Sequence, residues 1–215
     1  MTAPVRFCFD FVSPYAYVAW TQIHRICAAH DRKVEVWPVL FAAMLDAHGT
    51  KGPAEVPAKR VYVFKDAYRK AHKLGLPPLV PPPAHPFNPL LALRIASLPM
   101  DDDEKKSLVD RMYAATWAGG GGLDTPEKVA AIAGNDLVLA GQSQEAKDRL
   151  RRQTEEAIAA GAFGVPTAFA DGELFWGVDS LPQLEDRLAG RDPIDAVSLA
   201  AWAQLPASAQ RKKTR

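Results

Sequence analysis

The sequence is poor in the residues that carry disulfide and metal chemistry. It contains two cysteines, Cys8 and Cys27, which form neither a C-x-x-C pair nor a metal-ligand spacing. We interpret both as buried, small apolar residues of a protein from a reducing, cytoplasmic compartment. The five histidines form no ligand-spaced pair, and the sequence therefore predicts no metal site. They are His24, His30, His48, His72 and His85.

Neither charge nor hydropathy indicates a nucleic acid or a membrane as a partner. Charged residues make up 24% of the chain and the formal net charge is +1, so neither sign is in marked excess. No apolar run approaches the roughly 18 residues that a membrane-spanning helix needs. The first residues lack the pattern of a signal peptide. The short basic end, residues 210–215, is typical of a solvated tail rather than of a binding arm.

The hydrophobic pattern at the beginning of the chain predicts a strand, a helix and a second strand. Residues 4–11 alternate and are rich in aromatic and β-branched types, and residues 33–41 have a similar strand character. Between them, residues 14–29 carry apolar groups at helical spacing, with Pro14 at the first helical position. The three elements predict a βαβ unit.

Helical patterns dominate the middle of the chain, and strands return near its end. Residues 165–171 and 173–177 flank an Asp171-Gly172 turn that is typical of a hairpin. A closing helix is predicted at residues 179–190, where the first two residues are good N-terminal caps. The predicted helices of the middle region cover residues 57–75, 89–98, 101–119, 124–134 and 143–161, with a proline-rich connector at 76–89.

This order of elements predicts an α/β thioredoxin-like fold, βαβ…ββα, with a large all-helical insertion. We assign residues 1–53 and 162–195 to a discontinuous thioredoxin-like domain, residues 54–161 to the helical insertion and residues 196–215 to a C-terminal tail. In that fold the turn after the first strand holds a reactive sulfur at the start of the first helix. A proline before the third strand, usually after a cis peptide bond, faces the sulfur, and Pro166 stands at that place.

The segment Ser13-Pro14-Tyr15-Ala16 takes the place of the C-x-x-C motif. A serine hydroxyl cannot exchange disulfides, so a disulfide-exchanging enzyme is excluded. The helix N-terminus still offers roughly half a positive charge and free N–H groups. A hydroxyl aimed at the same point would stabilise the thiolate of another molecule, and we expect that molecule to be glutathione. Taken alone, Ser13 also fits a plain helix cap and Pro166 an ordinary strand-entry proline.

Two segments carry a resemblance to a known family. "FDFVSPYAYVA" (residues 9–19) and "GAFGVPTAFADGELFWGVDSLPQLEDRL" (residues 161–188) resemble the 2-hydroxychromene-2-carboxylate isomerase family and the related kappa-class glutathione transferases. Both groups belong to the DsbA-like branch of the thioredoxin superfamily. The resemblance runs over about residues 5–190, and the serine motif with the downstream "GVPT…FWG.D" pattern is quite specific to this group.

The resemblance implies roles for six residues. Ser13 matches the catalytic serine that hydrogen-bonds the glutathione sulfur, and Tyr15 would line the thiol or substrate pocket. The backbone of Val165, before Pro166, would pair with the cysteinyl part of glutathione. Asp179 and Ser180, at the start of the last helix, would hold the γ-glutamyl end. For this last pair, plain helix capping is the alternative.

The chain departs from the family pattern in one turn. Relatives often carry an asparagine in a "GNKPP"-like turn, whereas this chain has "GTKGP" with Thr50, whose hydroxyl donates with less reach. The neighbouring Lys51 would meet an acidic substrate or a glutathione carboxylate, or it is simply solvated. Asn88 in "HPFNPLLALR" also matches a family position near the active cleft, with helix capping as the alternative.

The resemblance implies a glutathione-dependent cis–trans isomerase of 2-hydroxychromene-2-carboxylate or a similar aromatic-degradation intermediate. A thiolate would add to an activated alkene, a single bond would rotate, and the sulfur would leave, so glutathione acts as a cofactor. A kappa-like glutathione transferase would keep the adduct instead. A non-catalytic thioredoxin-like binding module is the third possibility. The family also suggests a homodimer.

Overall fold

The computed structural model describes residues 2–206, in which four strands and ten α-helices are formed. The strands are β1 (Val5–Phe9), β2 (Val34–Pro38), β3 (Thr167–Ala170) and β4 (Glu173–Trp176). The helices are α1 (Pro14–Ala28), α2 (Phe41–His48), α3 (Pro57–Lys73), α4 (Leu90–Ser97), α5 (Asp102–Tyr113), α6 (Pro126–Ala133), α7 (Asn135–Gln142), α8 (Gln144–Ala159), α9 (Leu181–Leu188) and α10 (Ala196–Ala203).

The four strands form one mixed sheet in the order β2-β1-β3-β4. Strand β1 pairs in parallel with β2, with Val5 opposite Val34, because helix α1 provides the crossover between them. It pairs in antiparallel fashion with β3, where Cys8 lies opposite Thr167, and β3 continues into β4 through a tight turn. These are the strand order and directions of the predicted βαβ…ββα arrangement.

The central strand β1 is buried and carries much of the core. Phe9 stacks on Phe7 and packs edge to face on Phe11, and these rings contact Trp20 of α1 or Tyr113 of α5. Such aromatic contacts add to the gain from burying apolar area. The core therefore joins the sheet to helices from the middle of the chain, and it extends up to the loop that precedes α1.

Both cysteines are completely buried and make no disulfide. Burial raises the pKa of the Cys8 thiol, and that of the Cys27 thiol, to about 12. A thiol that stays protonated at neutral pH is a poor nucleophile. The two side chains are packing residues, as the sequence predicts.

Three helices are missing from the sequence-based prediction. The predicted strand 33–41 ends at Pro38, and Phe41 already begins α2. Helix α7 was not predicted, and α10 occupies part of the segment 196–215 that was assigned to a tail. The basic end at 210–215 lies outside the described residues. Within the described residues, no helix is long and apolar enough to cross a membrane. The division into two domains stays a prediction.

Candidate active site at the start of the first helix

Ser13 is the N-cap residue of α1, with extended backbone angles of φ −94° and ψ 116°. Its Oγ atom accepts a hydrogen bond from the Ala16 amide at 3.2 Å, and Pro14 follows at the first helical position. Because Oγ acts as an acceptor there, the O–H remains a donor. Neither this O–H nor the Tyr15 N–H has an acceptor among residues 2–206. Two donors and the positive end of α1 therefore meet at one point.

Two side chains from the middle of the chain hold the loop before Ser13. The indole nitrogen of Trp117 donates to the Phe11 carbonyl at 2.9 Å. The Nε2 atom of His85 lies 2.8 Å from the Val12 carbonyl, and since a carbonyl only accepts, this nitrogen carries the proton. Burial lowers the pKa of His85 and keeps the imidazole neutral. These residues from the middle of the chain thus fix the position and direction in which α1 begins.

The carboxyl group of Asp10 also holds the loop before Ser13. This residue is 1% exposed, and its two carboxyl oxygens accept hydrogen bonds from the amides of Val12 and Phe41, each at 3.0 Å. Burial raises the pKa of Asp10 to about 7, although both hydrogen bonds act to lower it. One carboxyl group therefore connects the loop between β1 and α1 with the first turn of α2.

The peptide bond between Val165 and Pro166 is cis, as the thioredoxin-like pattern predicts. The pairing of Cys8 with Thr167 places this bond beside the end of β1 that leads into Ser13. The Pro166 carbonyl accepts from the Gly177 amide at 2.9 Å. The N–H and C=O groups of Val165 have no hydrogen-bond partner among the described residues. Both groups can therefore pair with an extended peptide-like ligand.

The start of α9 lacks a side-chain cap, so the capping interpretation of Asp179 and Ser180 is wrong. Ser180 stands at the N-cap position, but its hydroxyl donates to the Gly177 carbonyl at 2.9 Å. Asp179 lies in the preceding turn of 3₁₀-helix, and its side chain is 84% exposed. Neither side chain caps α9, but the Leu181 amide donates to the Val178 carbonyl and Pro182 carries no N–H, so the start of α9 offers fewer free amides than an ordinary helix N-terminus.

A chain of polar contacts leads from Tyr15 to Asp179. The Tyr15 hydroxyl donates to Asp66 Oδ2 at 2.9 Å, and the Lys70 ammonium lies 2.6 Å from the same oxygen. Lys70 Nζ also lies 3.3 Å from Asp179 Oδ1. Burial and the bond to Asp66 raise the pKa of Tyr15, which keeps the phenol protonated. The structure therefore brings together two residues, Tyr15 and Asp179, that sequence analysis assigned to one site.

The three remaining predicted residues lie on exposed surface. The Thr50 amide donates to the Leu45 carbonyl and closes the end of α2. Lys51 follows directly, in the turn that leads to α3. The Asn88 side chain accepts from the Leu90 amide at 3.0 Å, whereas the N-cap position of α4 is held by Pro89. Substrate or glutathione contacts by these residues stay predictions.

A cavity of about 400 Å³ lies between α3 and the proline-rich connector. Aromatic and cationic side chains from α3 form one wall, and the proline-rich connector forms the other. None of the predicted site residues lines it. The lining residues are Phe64, Lys65, Tyr68, Arg69, Leu79 and Pro81.

Five residues that hold the site were not found from the sequence, namely Asp10, Asp66, Lys70, His85 and Trp117. Asp66 and Lys70 are spaced as an ordinary i,i+4 ion pair, a pattern that most surface helices share. His85 and Trp117 lie more than 70 residues from the loop they bind, so no local pattern relates them to it. Their aromatic contact, with ring centroids 5.6 Å apart, exists only in the folded chain.

Comparison with known proteins decides the family. A model of the DSBA-like thioredoxin domain matches residues 4–189, which is most of the chain. The chain belongs to the DSBA-like thioredoxin domain family. The thioredoxin-like fold predicted from the sequence is confirmed, and the Ser13 motif of this DSBA-like chain occupies the helix start after the first strand.

Relatives of this DSBA-like chain carry the two names that the sequence motifs suggested. Glutathione S-transferase kappa 2 of Caenorhabditis elegans is 29% identical, over 86% of this chain and 91% of that protein. The 2-hydroxychromene-2-carboxylate isomerase of Sphingobium xenophagum is 28% identical, over 87% of this chain and 99% of that protein. A solved structure of a 2-hydroxychromene-2-carboxylate isomerase superposes with a TM-score of 0.78, at 24% identity, and covers 94% of this chain and 99% of its own. The predicted resemblance is confirmed.

Proposed function

We propose that this protein is a glutathione-dependent isomerase of 2-hydroxychromene-2-carboxylate or a similar aromatic-degradation intermediate. One observation supports this most strongly. Ser13 is 8% exposed and caps α1 through its oxygen, so its O–H remains a donor beside the positive end of the helix. That arrangement suits a sulfur anion that the chain itself does not supply, because both of its own thiols are buried.

The residues present fit the cysteinyl and γ-glutamyl parts of glutathione. Ser13 O–H and Tyr15 N–H would face the sulfur. The unpaired backbone groups of Val165 would take the cysteinyl amide and carbonyl. The positive end of the α9 dipole suits the γ-glutamyl carboxylate, and the exposed carboxylate of Asp179 suits its ammonium. Within residues 2–206, the Ser13 O–H, the Tyr15 N–H and the Val165 backbone groups have no internal partner that would compete with the ligand, whereas Asp179 contacts Lys70.

When bound, glutathione supplies a thiol whose anion adds reversibly to an activated alkene. The protein's part is to favour the anion. Ser13 donates a hydrogen bond to it, and the α1 dipole lowers the pKa of a thiol held there, as it does for protein cysteines. The loop bonds from Trp117 and His85 hold these donors in place before the sulfur arrives, which avoids reorganisation during the reaction. Lys51 and Asn88 would meet the acidic substrate.

The second candidate is a kappa-like glutathione transferase, because one relative at 29% identity carries that name. The same Ser13 geometry serves both reactions, and they differ in whether the sulfur is expelled after addition. A thioredoxin-like module that binds without catalysis is the third candidate. We also expect a cytoplasmic homodimer, which sedimentation of the purified chain and localisation of the protein in its own cells would test.

The deciding experiment is an absorbance assay with 2-hydroxychromene-2-carboxylate, run with and without glutathione. We expect isomerisation that depends on glutathione and leaves its concentration unchanged. A stable glutathione adduct would identify a transferase. Equal rates with and without glutathione would refute the cofactor proposal, and no turnover with retained glutathione binding would favour a binding module. Reduction of insulin disulfides is not expected, since position 13 is serine.

A further inference from the structure

We infer that Lys70 is a positioning residue that holds Asp179 ready for the amino group of the ligand. This inference rests on the proposed glutathione function and names the residue that prepares one end of that site. Lys70 lies on α3, whereas Asp179 lies in the turn before α9, 109 residues later in the chain. Only the folding of the chain brings the two residues together.

Lys70 is held in place by its neighbours, whereas Asp179 is exposed. The side chain of Lys70 is 22% exposed and that of Asp179 is 84% exposed. Asp66 anchors the Lys70 ammonium at 2.6 Å, and Tyr15 occupies the same carboxylate. The Lys70 ammonium also lies 5.6 Å from the centre of the Tyr15 ring. An exposed aspartate rotates freely unless something holds it, and among the described residues Lys70 is its ion-pair partner.

The charges of the cluster explain why a second cation would bind. Asp66 and Asp179 each bring a negative charge and Lys70 brings one positive charge, so the three groups together carry −1. Burial acts to lower the pKa of Lys70, but its bonds to the two carboxylates leave that pKa raised, so the ammonium stays charged at neutral pH. The remaining negative charge sits on the exposed side of the cluster, at Asp179. A ligand amino group can therefore be attracted there although the Lys70 ammonium is already present.

The same lysine connects the first turn of α1 with the turn before α9. Through Asp66 it holds the hydroxyl of Tyr15, two residues after Ser13, and through Asp179 it holds the turn before α9. If Lys70 instead formed an ordinary helix ion pair, its contact with Asp179 would be incidental. An exposed ion pair of that kind contributes little to folding and nothing to ligand choice.

The chain contains a matched control for this experiment. Lys106 lies 2.7 Å from Asp110, which is four residues away on α5, and Asp110 accepts a bond from Trp20 of α1 at 2.6 Å. The Lys106 pair thus repeats the Lys70–Asp66–Tyr15 arrangement without a second carboxylate beside the ammonium. Lys106→Met tests the loss of a helix ion pair, and Lys70→Met tests that loss together with the loss of the Asp179 contact.

The test is calorimetric binding of two ligands to the wild type and to Lys70→Met, Lys70→Arg and Lys106→Met. One ligand is glutathione, and the other is its analogue in which hydrogen replaces the γ-glutamyl amino group. We expect Lys70→Met to weaken glutathione binding about tenfold, the effect of one charge-assisted hydrogen bond, and to leave the analogue's affinity unchanged. Lys70→Arg should retain most of the affinity, and Lys106→Met should match the wild type.

Two results would overturn the inference in distinguishable ways. If Lys70→Met binds both ligands like the wild type, or weakens both equally, Lys70 does not act through the amino group and the proposed function is untouched. If the wild type binds neither ligand, the proposed glutathione function fails and the inference fails with it. Thermal unfolding of each variant shows whether the fold survives the substitution.

Discussion

The hydroxyl oxygen of Ser13 accepts a hydrogen bond from the Ala16 amide at 3.2 Å, and Ser143 makes the same bond to Ala146 at the same distance. Both serines are N-caps, of α1 and α8. They differ in surroundings, because Ser13 follows the end of β1 beside which the cis peptide bond before Pro166 lies, and Ser143 is not part of the candidate site. Comparing the two serines therefore separates what a serine N-cap contributes to stability from what the Ser13 hydroxyl contributes to catalysis.

Replacing each serine by alanine should therefore give equal losses of stability and unequal losses of activity. Loss of an N-cap costs about 1 kcal/mol in either variant. Ser13→Ala also removes the donor to the thiolate, and we expect glutathione-dependent turnover to fall roughly 10²- to 10³-fold, as for other preorganised donors. Denaturant unfolding and turnover of Ser13→Ala and Ser143→Ala are the measurements. Equal activities in the two variants would mean that Ser13 is a cap and nothing more.

Trp117→Phe should lower the affinity for glutathione, although Trp117 is not one of the residues proposed to contact it. The Phe11 carbonyl loses its bond from the indole nitrogen inside a fully buried cluster, which costs about 1–3 kcal/mol of stability. The loop before Ser13 gains freedom, so glutathione affinity should fall as well. Trp37→Phe is the control, since Trp37 makes a 2.9 Å bond to the Gln153 carbonyl, away from this loop. A similar drop in glutathione affinity for both variants would contradict a specific effect on the loop.

The raised pKa of Asp10 predicts a pH-dependent stability. Its pKa is about 7 in the folded state, against an ordinary value of 3.8, so the folded state holds this proton more tightly than the unfolded chain. The free energy of unfolding should therefore fall as pH rises from about 4 to about 7, and this contribution is constant above that range. Urea unfolding of the wild type and Asp10→Asn across this range isolates the contribution as the difference between two curves. Parallel curves would show that Asp10 is ionised throughout.

Gly141 in α7 allows α7 and α4 to approach closely. A Cβ atom at this position would lie 2.5 Å from Cγ1 of Ile95, a buried residue of α4. Gly141→Ala should therefore destabilise the protein by about 1–3 kcal/mol, although alanine is the better helix former. Adding Ile95→Ala removes the clashing atom, so the double variant should lose less stability than the sum of the two single variants. Additive losses in denaturant unfolding would refute the clash.

Local patterns were sufficient to predict α1 and its cap. Ser13, Pro14 and the apolar spacing that follows belong to one stretch of chain, and the structure places the helix at Pro14–Ala28. Helix α2 was missed for the opposite reason. Its N-cap position holds Leu40, which provides no side-chain cap. Its first amide is bound by Asp10, 31 residues earlier in the sequence.

In the candidate site, too, some features follow from the sequence and others depend on contacts between distant residues. The positions of Ser13, Pro166 and Asp179 follow from element order, because a thioredoxin-like chain brings these three turns to one edge of the sheet. The Tyr15–Asp66–Lys70–Asp179 chain depends on how α3 packs against α1, and side-chain packing between helices leaves no periodic signal in the sequence. For Asn88, sequence reasoning left a substrate role and helix capping open, and both stay predictions: its side chain bonds the Leu90 amide, but the N-cap position of α4 is held by Pro89.

The central claim is that Ser13 and the start of α1 stabilise a glutathione thiolate. Its most direct test is the pKa of the glutathione thiol in the complex, measured from the ultraviolet absorbance of the thiolate as pH is raised. With the wild type, we expect that pKa to lie well below the ordinary thiol value of about 8.5, and with Ser13→Ala we expect it to return towards that value. An ordinary pKa in both complexes, or no binding to the wild type, would contradict the account.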